Sequence, residues 1–325
     1  CVMCVCWCLL PSLTLTTTPI QSSEFHIPQF DLKEWFEGTI ETKKNFAQKW
    51  SDALHTYGFL TIINHGIPPT LSNSLSEKSR EFFDLSNEEK EKYSAPAVYQ
   101  PGFHASGKEF YVSTSKKPNQ NANYQFHKIN NAIHPLPNTP ASYPPLHPIA
   151  TQYMQAAQHV QDTLFDISDM ALGLPSGTFH QFHRNNGGSP FFHLRITHYF
   201  ELTPSDQNEN EDETINTQQD RVGAHTDFLS YTILLVDDVP GLQVALGESQ
   251  YKLSDFSLDF DQWIPVHARS DALIINAGDM LRYWTNGYWK SAFHRVVSDP
   301  RRRISFATFT GPGLDARTDD RFPCD

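Results

Sequence analysis

The sequence predicts a mixed α/β chain whose second half is an all-β core of sandwich or jelly-roll type, with helices flanking it on the N-terminal side. Three observations carry that expectation. Apolar residues recur at helical spacing through much of the first half, the apolar period changes to two from about residue 190, and the strand candidates beyond that point are short and punctuated by Gly, Pro and Asp. With 325 residues, 39% of them hydrophobic, the chain has enough apolar material for a large core.

The elements follow in order. Phe46, Trp50, Ala53, Leu54 and Tyr57 mark a helix over residues 42 to 57, Gly58 ends it, and Phe59 to Ile63 reads as a buried strand. Asn64-His65-Gly66 turns the chain, which makes His65 a structural residue, and Pro68-Pro69 precede a helix carrying Leu71, Leu75, Phe82 and Phe83. Residues 94 to 148 hold nine of the 22 prolines and are expected to be mostly loop. A long amphipathic helix follows, with Ile149, Tyr153, Ala157, Leu164, Ile167 and Ala171 on its buried side. Strand candidates are 192 to 200, 231 to 236, 241 to 246, 263 to 267, 271 to 276, 291 to 297 and 303 to 310. Between the first two lies Pro204 to Asp220, with six acids and no base, a solvated hairpin insertion that supplies half of the net charge of -12.

That charge repels phosphate backbones and anionic headgroups, which argues against nucleic-acid and membrane partners. Cys1, Cys4, Cys6 and Cys8 crowd the head, Cys324 is next to last, and none lies between. A disulfide framework inside the body is excluded, as suits a reducing, cytoplasmic setting, and nothing near the head cluster supports a thiolate metal site. The apolar run Cys1 to Leu15 is too short to span a bilayer and lacks a basic n-region, since the first Lys or Arg is Lys33. A signal peptide is therefore disfavoured against a fragment or mis-assigned start, and residues 1–22 stay outside the fold argument.

His225-Thr226-Asp227 is the first motif with chemistry in it. In extended backbone, residues two apart share a face, so an imidazole and a carboxylate can converge on a metal. Alone it is weak: 15 His and 22 Asp make about one His-x-Asp expected by chance, and an exposed polar turn would look the same. A second histidine, His294, lies in the candidate strand Ser291 to Val297, and Arg303 and Ser305 lie two apart on the next. If these two strands form a hairpin, His294, Arg303 and Ser305 share a face. An arginine held inside a barrel needs an anion, and a carboxylate satisfies it with two parallel hydrogen bonds. Two histidines and one carboxylate with open positions form the facial triad of non-haem Fe(II) oxygenases.

The chain resembles the isopenicillin N synthase-like branch of the 2-oxoglutarate/Fe(II)-dependent dioxygenases. The resemblance rests on Gly223-Ala224-His225-Thr226-Asp227, Thr232-Ile233-Leu234-Leu235, Pro240-Gly241-Leu242-Gln243-Val244, Asn276-Ala277-Gly278-Asp279, Thr285-Asn286-Gly287, His294-Arg295-Val296 and Arg303-Ile304-Ser305. Ile27-Pro28, Tyr57-Gly58-Phe59, Asn64-His65-Gly66-Ile67, Phe82-Phe83 and Glu88-Glu89-Lys90 extend it to the N-terminal half. It implies a double-stranded β-helix (jelly roll, cupin-like) with flanking N-terminal and central helices. The implied organisation is an unassigned segment 1–22, an N-terminal dioxygenase domain with a Pro-rich loop over 23–148, and a central helix with the Fe(II)/2-oxoglutarate core over 149–325.

The resemblance further implies Fe(II) on His225, Asp227 and His294, with 2-oxoglutarate chelating it through its C1 carboxylate and keto oxygen. Arg303 and Ser305 would bind the C5 carboxylate with help from Tyr199, and O2 would be the oxidant, with ascorbate a further reductant the family admits. The implied activity is hydroxylation or desaturation of a small-molecule substrate with release of succinate and CO2. An Fe(II) oxidase independent of 2-oxoglutarate and a metal-binding pseudo-enzyme are the alternatives. Asn276, Gly278 and Asp279 are expected to form a tight inter-strand turn, and Thr285-Asn286-Gly287 another. His193 and His198 are left outside the site, and Phe228, Leu229, Phe103, Phe110 and Phe309 are candidates for the pocket wall. Four departures from the family pattern stand out. Thr197 replaces an Asn, Tyr251 to Phe260 is inserted between Asp227 and His294, an Asp/Lys/Glu pattern is missing around Asn121 to Lys128, and the chain stops where relatives continue into a C-terminal helical segment. No motif speaks to oligomeric state.

Overall fold

A computed structural model describes residues 26–97, 100–106, 121–129, 132–183, 191–201, 220–246, 250–252, 257–260, 262–267 and 269–313. The chain enters on β1 (Gln29–Asp31), α1 (Leu32–Glu37), α2 (Ile40–Thr56), β2 (Phe59–Ile63), α3 (Pro69–Phe83) and α4 (Asn87–Glu91). Then come β3 (Gly102–His104), β4 (Asn121–Ile129), β5 (Ala132–His134), the long α5 (His147–Ala171) and α6 (Thr178–His183). The second half runs β6 (Phe191–Tyr199), β7 (Val222–His225), β8 (Tyr231–Val236), β9 (Leu242–Leu246), β10 (Gln250–Lys252), β11 (Ser257–Asp259), β12 (Gln262–Pro265) and β13 (Leu273–Ala277). It closes with α7 (Asp279–Trp284), β14 (His294–Val296) and β15 (Arg303–Gly311).

Helix α2 starts where Thr39 caps the Thr42 amide, and it buries Phe46, Trp50, Ala53 and Leu54. It ends at Gly58, whose φ of +67 suits the left-handed region. Helix α5 buries Tyr153, Ala157, Leu164 and Ile167 and packs on α2 and α3, so the helices cover one face of the sheet as one layer.

Two sheets form the core. Nine strands make the larger, in the order β1-β2-β13-β8-β15-β6-β4-β3 with β5 paired to β4, and the smaller runs β12-β9-β14-β7. Phe59, Tyr199, Val236 and Ile274 of the large sheet pack with Val222, Val244 and Val296 of the small one, which closes one end of the space between them. This is the jelly-roll core expected, and the seven strand candidates of the second half all coincide with strands.

Two expectations change and two others gain detail. The segments around His294 and Arg303 form no hairpin: β14 pairs with β7 and β9, whereas β15 pairs with β6 and β8, so the connection crosses from one sheet to the other. The described part of the Pro-rich stretch 94–148 is loop over more than half of its residues, as expected, but it also carries strands that the expectation omitted. It contains β4, where Asn121, Asn123, Gln125 and His127 alternate with Ala122, Tyr124 and Phe126, a period-two signal outweighed by the surrounding prolines. Asn276-Gly278-Asp279 is not an inter-strand turn; β13 ends at Ala277 and Asp279 opens α7, with Gly278 as its cap residue. The Tyr251 to Phe260 insertion contributes to a two-stranded sheet of its own, β10 with β11. Thr285-Asn286-Gly287 is the turn expected, with φ of 49 at Asn286 and 78 at Gly287. The N-terminal cysteines, the core of the acidic insertion, Phe110 and the chain beyond residue 313 lie outside the described residues. Among the described residues no helix is long and apolar enough to cross a membrane.

Candidate metal centre

His225 ends β7 and His294 opens β14, and the two are direct cross-strand partners. Their side chains therefore leave the sheet on one face, with ring centroids 4.2 Å apart. Asp227 is not on that strand. It lies in the β7–β8 loop, which three backbone hydrogen bonds pin to the start of α7: Asp279 N to Asp227 O at 2.7 Å, Gly278 N to Ser230 O at 2.8 Å and Met280 N to Phe228 O at 3.2 Å. Thr226 Oγ1 adds a bond to Asp279 Oδ2 at 3.2 Å. A Cβ on Gly278 would meet Leu229 O at 2.1 Å, so only glycine allows this approach.

The three side chains present one ligand atom each within 4.8 Å of one another, the only such group among the described residues. Asp227 Oδ1 lies 3.8 Å from His225 Nε2 and 3.7 Å from His294 Nε2. Those separations exceed hydrogen-bond range and suit donors that share an ion. Each imidazole is oriented from behind, His225 Nδ1 by Gly223 O at 2.8 Å and His294 Nδ1 by Ala292 O at 3.2 Å. With Nδ1 donating, Nε2 carries the lone pair. Burial, helped by the nearby His294, pushes His225 down to about 4, so it is neutral at pH 7. Burial opposes the charge on Asp227, yet the two imidazoles and hydrogen bonds from Thr232 and Asn276 hold its carboxyl below the usual range. Thr232 Oγ1 donates to Oδ2 at 2.5 Å and Asn276 Nδ2 at 2.8 Å, leaving Oδ1 to face the histidines. Two imidazole nitrogens and one carboxylate oxygen fit Fe(II).

Arg303 and Ser305 line the same cavity from the opposite sheet. Their cross-strand partners on β6 are Tyr199 and Thr197, which places Thr197 beside Ser305. The Arg303 guanidinium covers the Tyr199 ring at 4.7 Å, and its Nε donates to Val239 O at 3.3 Å. Its Nη1 is buried without a hydrogen-bond partner. A buried guanidinium left this way is costly, and a carboxylate is the group that completes it.

Comparisons with known proteins identify the family. Residues 27–150 match the family model of the non-haem dioxygenase in morphine synthesis N-terminal region, and residues 191–312 that of the 2OG-Fe(II) oxygenase superfamily. Flavanone 3-dioxygenase 2 of Oryza sativa subsp. japonica is 30% identical over 269 residues, covering 80% of this chain and 68% of that protein. The chain belongs to the 2OG-Fe(II) oxygenase superfamily. It is a 2-oxoglutarate-dependent dioxygenase, an Fe(II) enzyme with 2-oxoglutarate as co-substrate. The oxygenase is also 28% identical to the 2-oxoglutarate-dependent dioxygenase tropC of Talaromyces stipitatus, over 90% of this chain and 88% of that one. Among solved structures, JOX2 in complex with 2OG, Fe and JA superposes with a TM-score of 0.70 at 26% identity, covering 90% of this chain and 76% of that one. The dioxygenase for auxin oxidation 1 from Arabidopsis thaliana with 2-oxoglutarate, at 21% identity and a TM-score of 0.67 over 91% of this chain and 99% of that one, shares the fold.

The remaining candidates of the oxygenase separate cleanly. His198 lies away from the metal group, its Nε2 taking a hydrogen bond from Arg302 Nε at 2.7 Å and its ring stacked on Phe83. His65 Nδ1 accepts the Ile67 amide at 3.2 Å and belongs to its turn. Phe309 lines the cavity, Phe103 is buried in the core on the helix side, Leu229 packs on Gly311, and Phe228 is 80% exposed. Sequence reasoning missed Thr232 and Asn276. Thr232 and Asn276 are cross-strand partners on β8 and β13, and the signal was a polar residue inside each apolar run, which burial makes expensive unless it has a task.

Proposed function

We propose that His225, Asp227 and His294 hold the Fe(II), and that Arg303 and Ser305, over Tyr199, hold the C5 carboxylate of 2-oxoglutarate. The reaction is then substrate–H + 2-oxoglutarate + O2 → substrate–OH + succinate + CO2, with desaturation and water release the variant when two hydrogens leave the substrate. The bound metal supplies oxidising chemistry; the chain's residues orient the reactants and keep water out. The observation that carries the assignment is the pairing of the converging donor triad with the unpartnered Arg303 Nη1 in one cavity. The primary substrate is a small molecule, as the names of the flavanone and jasmonate oxygenases among the relatives suggest. A reducing cytoplasmic compartment goes with this reading, supported by the lack of cysteine between Cys8 and Cys324.

The test is anaerobic. Adding Fe(II) and 2-oxoglutarate is expected to give the visible metal-to-ligand charge-transfer band, and admitting O2 to give one succinate per 2-oxoglutarate consumed. Asp227→Ala removes the only anionic donor and is expected to abolish the band with the fold intact. Retention of tight, stoichiometric Fe(II) by that variant would remove Asp227 from the site. Oxygen uptake without need of 2-oxoglutarate would return Arg303 to the primary substrate.

A further inference from the structure

Arg221 directly precedes β7 and is buried, and among the described residues it makes no salt bridge to a carboxylate. Its Nη1 donates to Phe200 O at 2.6 Å and its Nη2 to Asp299 O at 2.5 Å, while its Nε is buried without a hydrogen-bond partner. Asp299 lends it a carbonyl only, because Arg301 engages both oxygens of the Asp299 carboxylate, at 2.9 and 2.7 Å. Desolvating a guanidinium for two neutral carbonyls is costly, and burial pulls the Arg221 pKa below its ordinary value. An apolar side chain would fill the same space at less cost, so the buried charge calls for a task.

The contacts of Arg221 define that task. Phe200 follows Tyr199, the cross-strand partner of Arg303. Asp299 lies in the crossover from β14 to β15, five residues after His294 and four before Arg303. The Arg221 amide donates to Val296 O at 2.7 Å, and its carbonyl accepts Asn121 Nδ2 at 3.2 Å. Asn121 is in turn the partner of Tyr199 on its other side. His225 is four residues further along from Arg221. One residue thus ties the strand ends of the metal donors to those of Tyr199 and Arg303. Arg221 and Arg303 are also close enough for their like charges to oppose one another, with Tyr199 and Asp299 in the same range. Each has one buried nitrogen without a partner, Nε of Arg221 and Nη1 of Arg303. A carboxylate bound at Arg303 relieves that repulsion as well as completing Arg303.

We propose that Arg221 is a positioning residue for the co-substrate. It fixes the crossover and the end of β6, and so sets the depth at which Arg303 and Tyr199 meet the far carboxylate of a five-carbon 2-oxo diacid. Its charge adds a second positive field at that carboxylate, in a chain whose net charge is -12. This deepens the functional reading above and rests on it. Arg221 touches neither metal nor co-substrate in this scheme; it acts through Arg303 and Tyr199. A lysine carries the charge but lacks the planar fork that reaches two carbonyls on separate segments, so the two contributions are separable.

The test uses the full chain and reads anaerobic charge-transfer titrations with 2-oxoglutarate and with 2-oxoadipate, which is longer by one carbon. Arg221→Gln is expected to weaken 2-oxoglutarate binding roughly tenfold, the size of a charge-assisted contact, with Fe(II) affinity within about twofold of the parent. Its preference for 2-oxoglutarate over 2-oxoadipate is expected to shrink severalfold, because the depth is no longer fixed. In turnover the KM for 2-oxoglutarate rises while kcat at saturation stays within about twofold. Arg221→Lys is expected to recover part of the affinity but little of the length preference. Asn121→Ala removes only the bond to the Arg221 backbone, and is expected to shift both readings the same way by a smaller factor. An unchanged 2-oxoglutarate affinity or an unchanged length preference in Arg221→Gln overturns the proposal and leaves Arg221 a structural clasp. So does an equal loss of Fe(II) and 2-oxoglutarate affinity. If Arg221→Gln does not fold, the length preference of Arg221→Lys decides, and failure of Arg221→Lys and Asn121→Ala both to fold overturns the proposal as well. Absence of the band in the parent protein overturns the underlying reading instead, so the two failures are distinct.

Discussion

Asn276→Ala tests how the iron site is held. Asp227 Oδ2 receives two hydrogen bonds, from Asn276 Nδ2 at 2.8 Å and Thr232 Oγ1 at 2.5 Å, and all three residues are buried. A hydrogen bond to a charged group in such a place is worth ~1.5–3 kcal/mol. Part of that loss falls on the carboxylate's position, and partners of this kind set metal affinity by ~10–100-fold. The expected result is Fe(II) binding weaker by that factor. Because the lost donor also helps keep the Asp227 carboxyl acidic, protons compete better in the variant, and the acid edge of metal binding moves to higher pH. The assay is anaerobic Fe(II) titration at several pH values, with the melting temperature as a folding control and Thr232→Val as the companion. Affinity within twofold of the parent in both variants, at unchanged edge pH, would refute the claim that these two residues orient the ligand.

Other expectations follow from particular contacts. Arg303→Lys keeps a charge but not the planar fork, so 2-oxoglutarate affinity should fall by about 1–3 kcal/mol with Fe(II) affinity unchanged, both read from the charge-transfer titration. Gly278→Ala forces a Cβ toward Leu229 O and Asp227 O, and should cost on the order of 2–4 kcal/mol in urea unfolding and weaken Fe(II) binding as the loop shifts. His127, His183 and His198 are held neutral chiefly by burial, at about 4, 3 and 3, against an unfolded value near 6.5. The unfolded chain takes up their protons first as pH falls, so metal-free stability should be fully present above about pH 6.5 and decline toward pH 4. The slope is on the order of 1 kcal/mol per pH unit for each histidine, measured by urea unfolding across that range. A flat profile there would count against neutral burial.

What could be read from the sequence divides along a physical line. Local patterns survived: the helix over α2, the strand after Gly58 and the Asn286-Gly287 turn depend on spacing and backbone preference within a few residues. His225, Asp227 and His294 were also legible, because ligand chemistry admits few residue types. Sheet partnership was not. The sequence neighbours β14 and β15 lie in opposite sheets, and no pattern within either strand states which surface it will face. Asn276 looked like turn chemistry because Gly278 and Asp279 follow it; its role depends on Thr232, 44 positions away in sequence and directly across the ladder.

The pairing of β2 with β13 carries one more implication. β13 supplies Asn276, and its outer edge is covered by a strand from the first fifth of the chain, with Phe59 of that strand edge-on to the His294 ring at 5.3 Å. A protein trimmed to begin after residue 64 would leave that ladder open, with bare amides and carbonyls ready to recruit any extended peptide. Such a trimmed chain should self-associate and bind iron poorly even though it keeps His225, Asp227 and His294. Proteolytic cleavage between β2 and α3, with loss of the N-terminal piece, would then switch off catalysis at a distance, by unclamping a sheet margin rather than by touching the reaction centre.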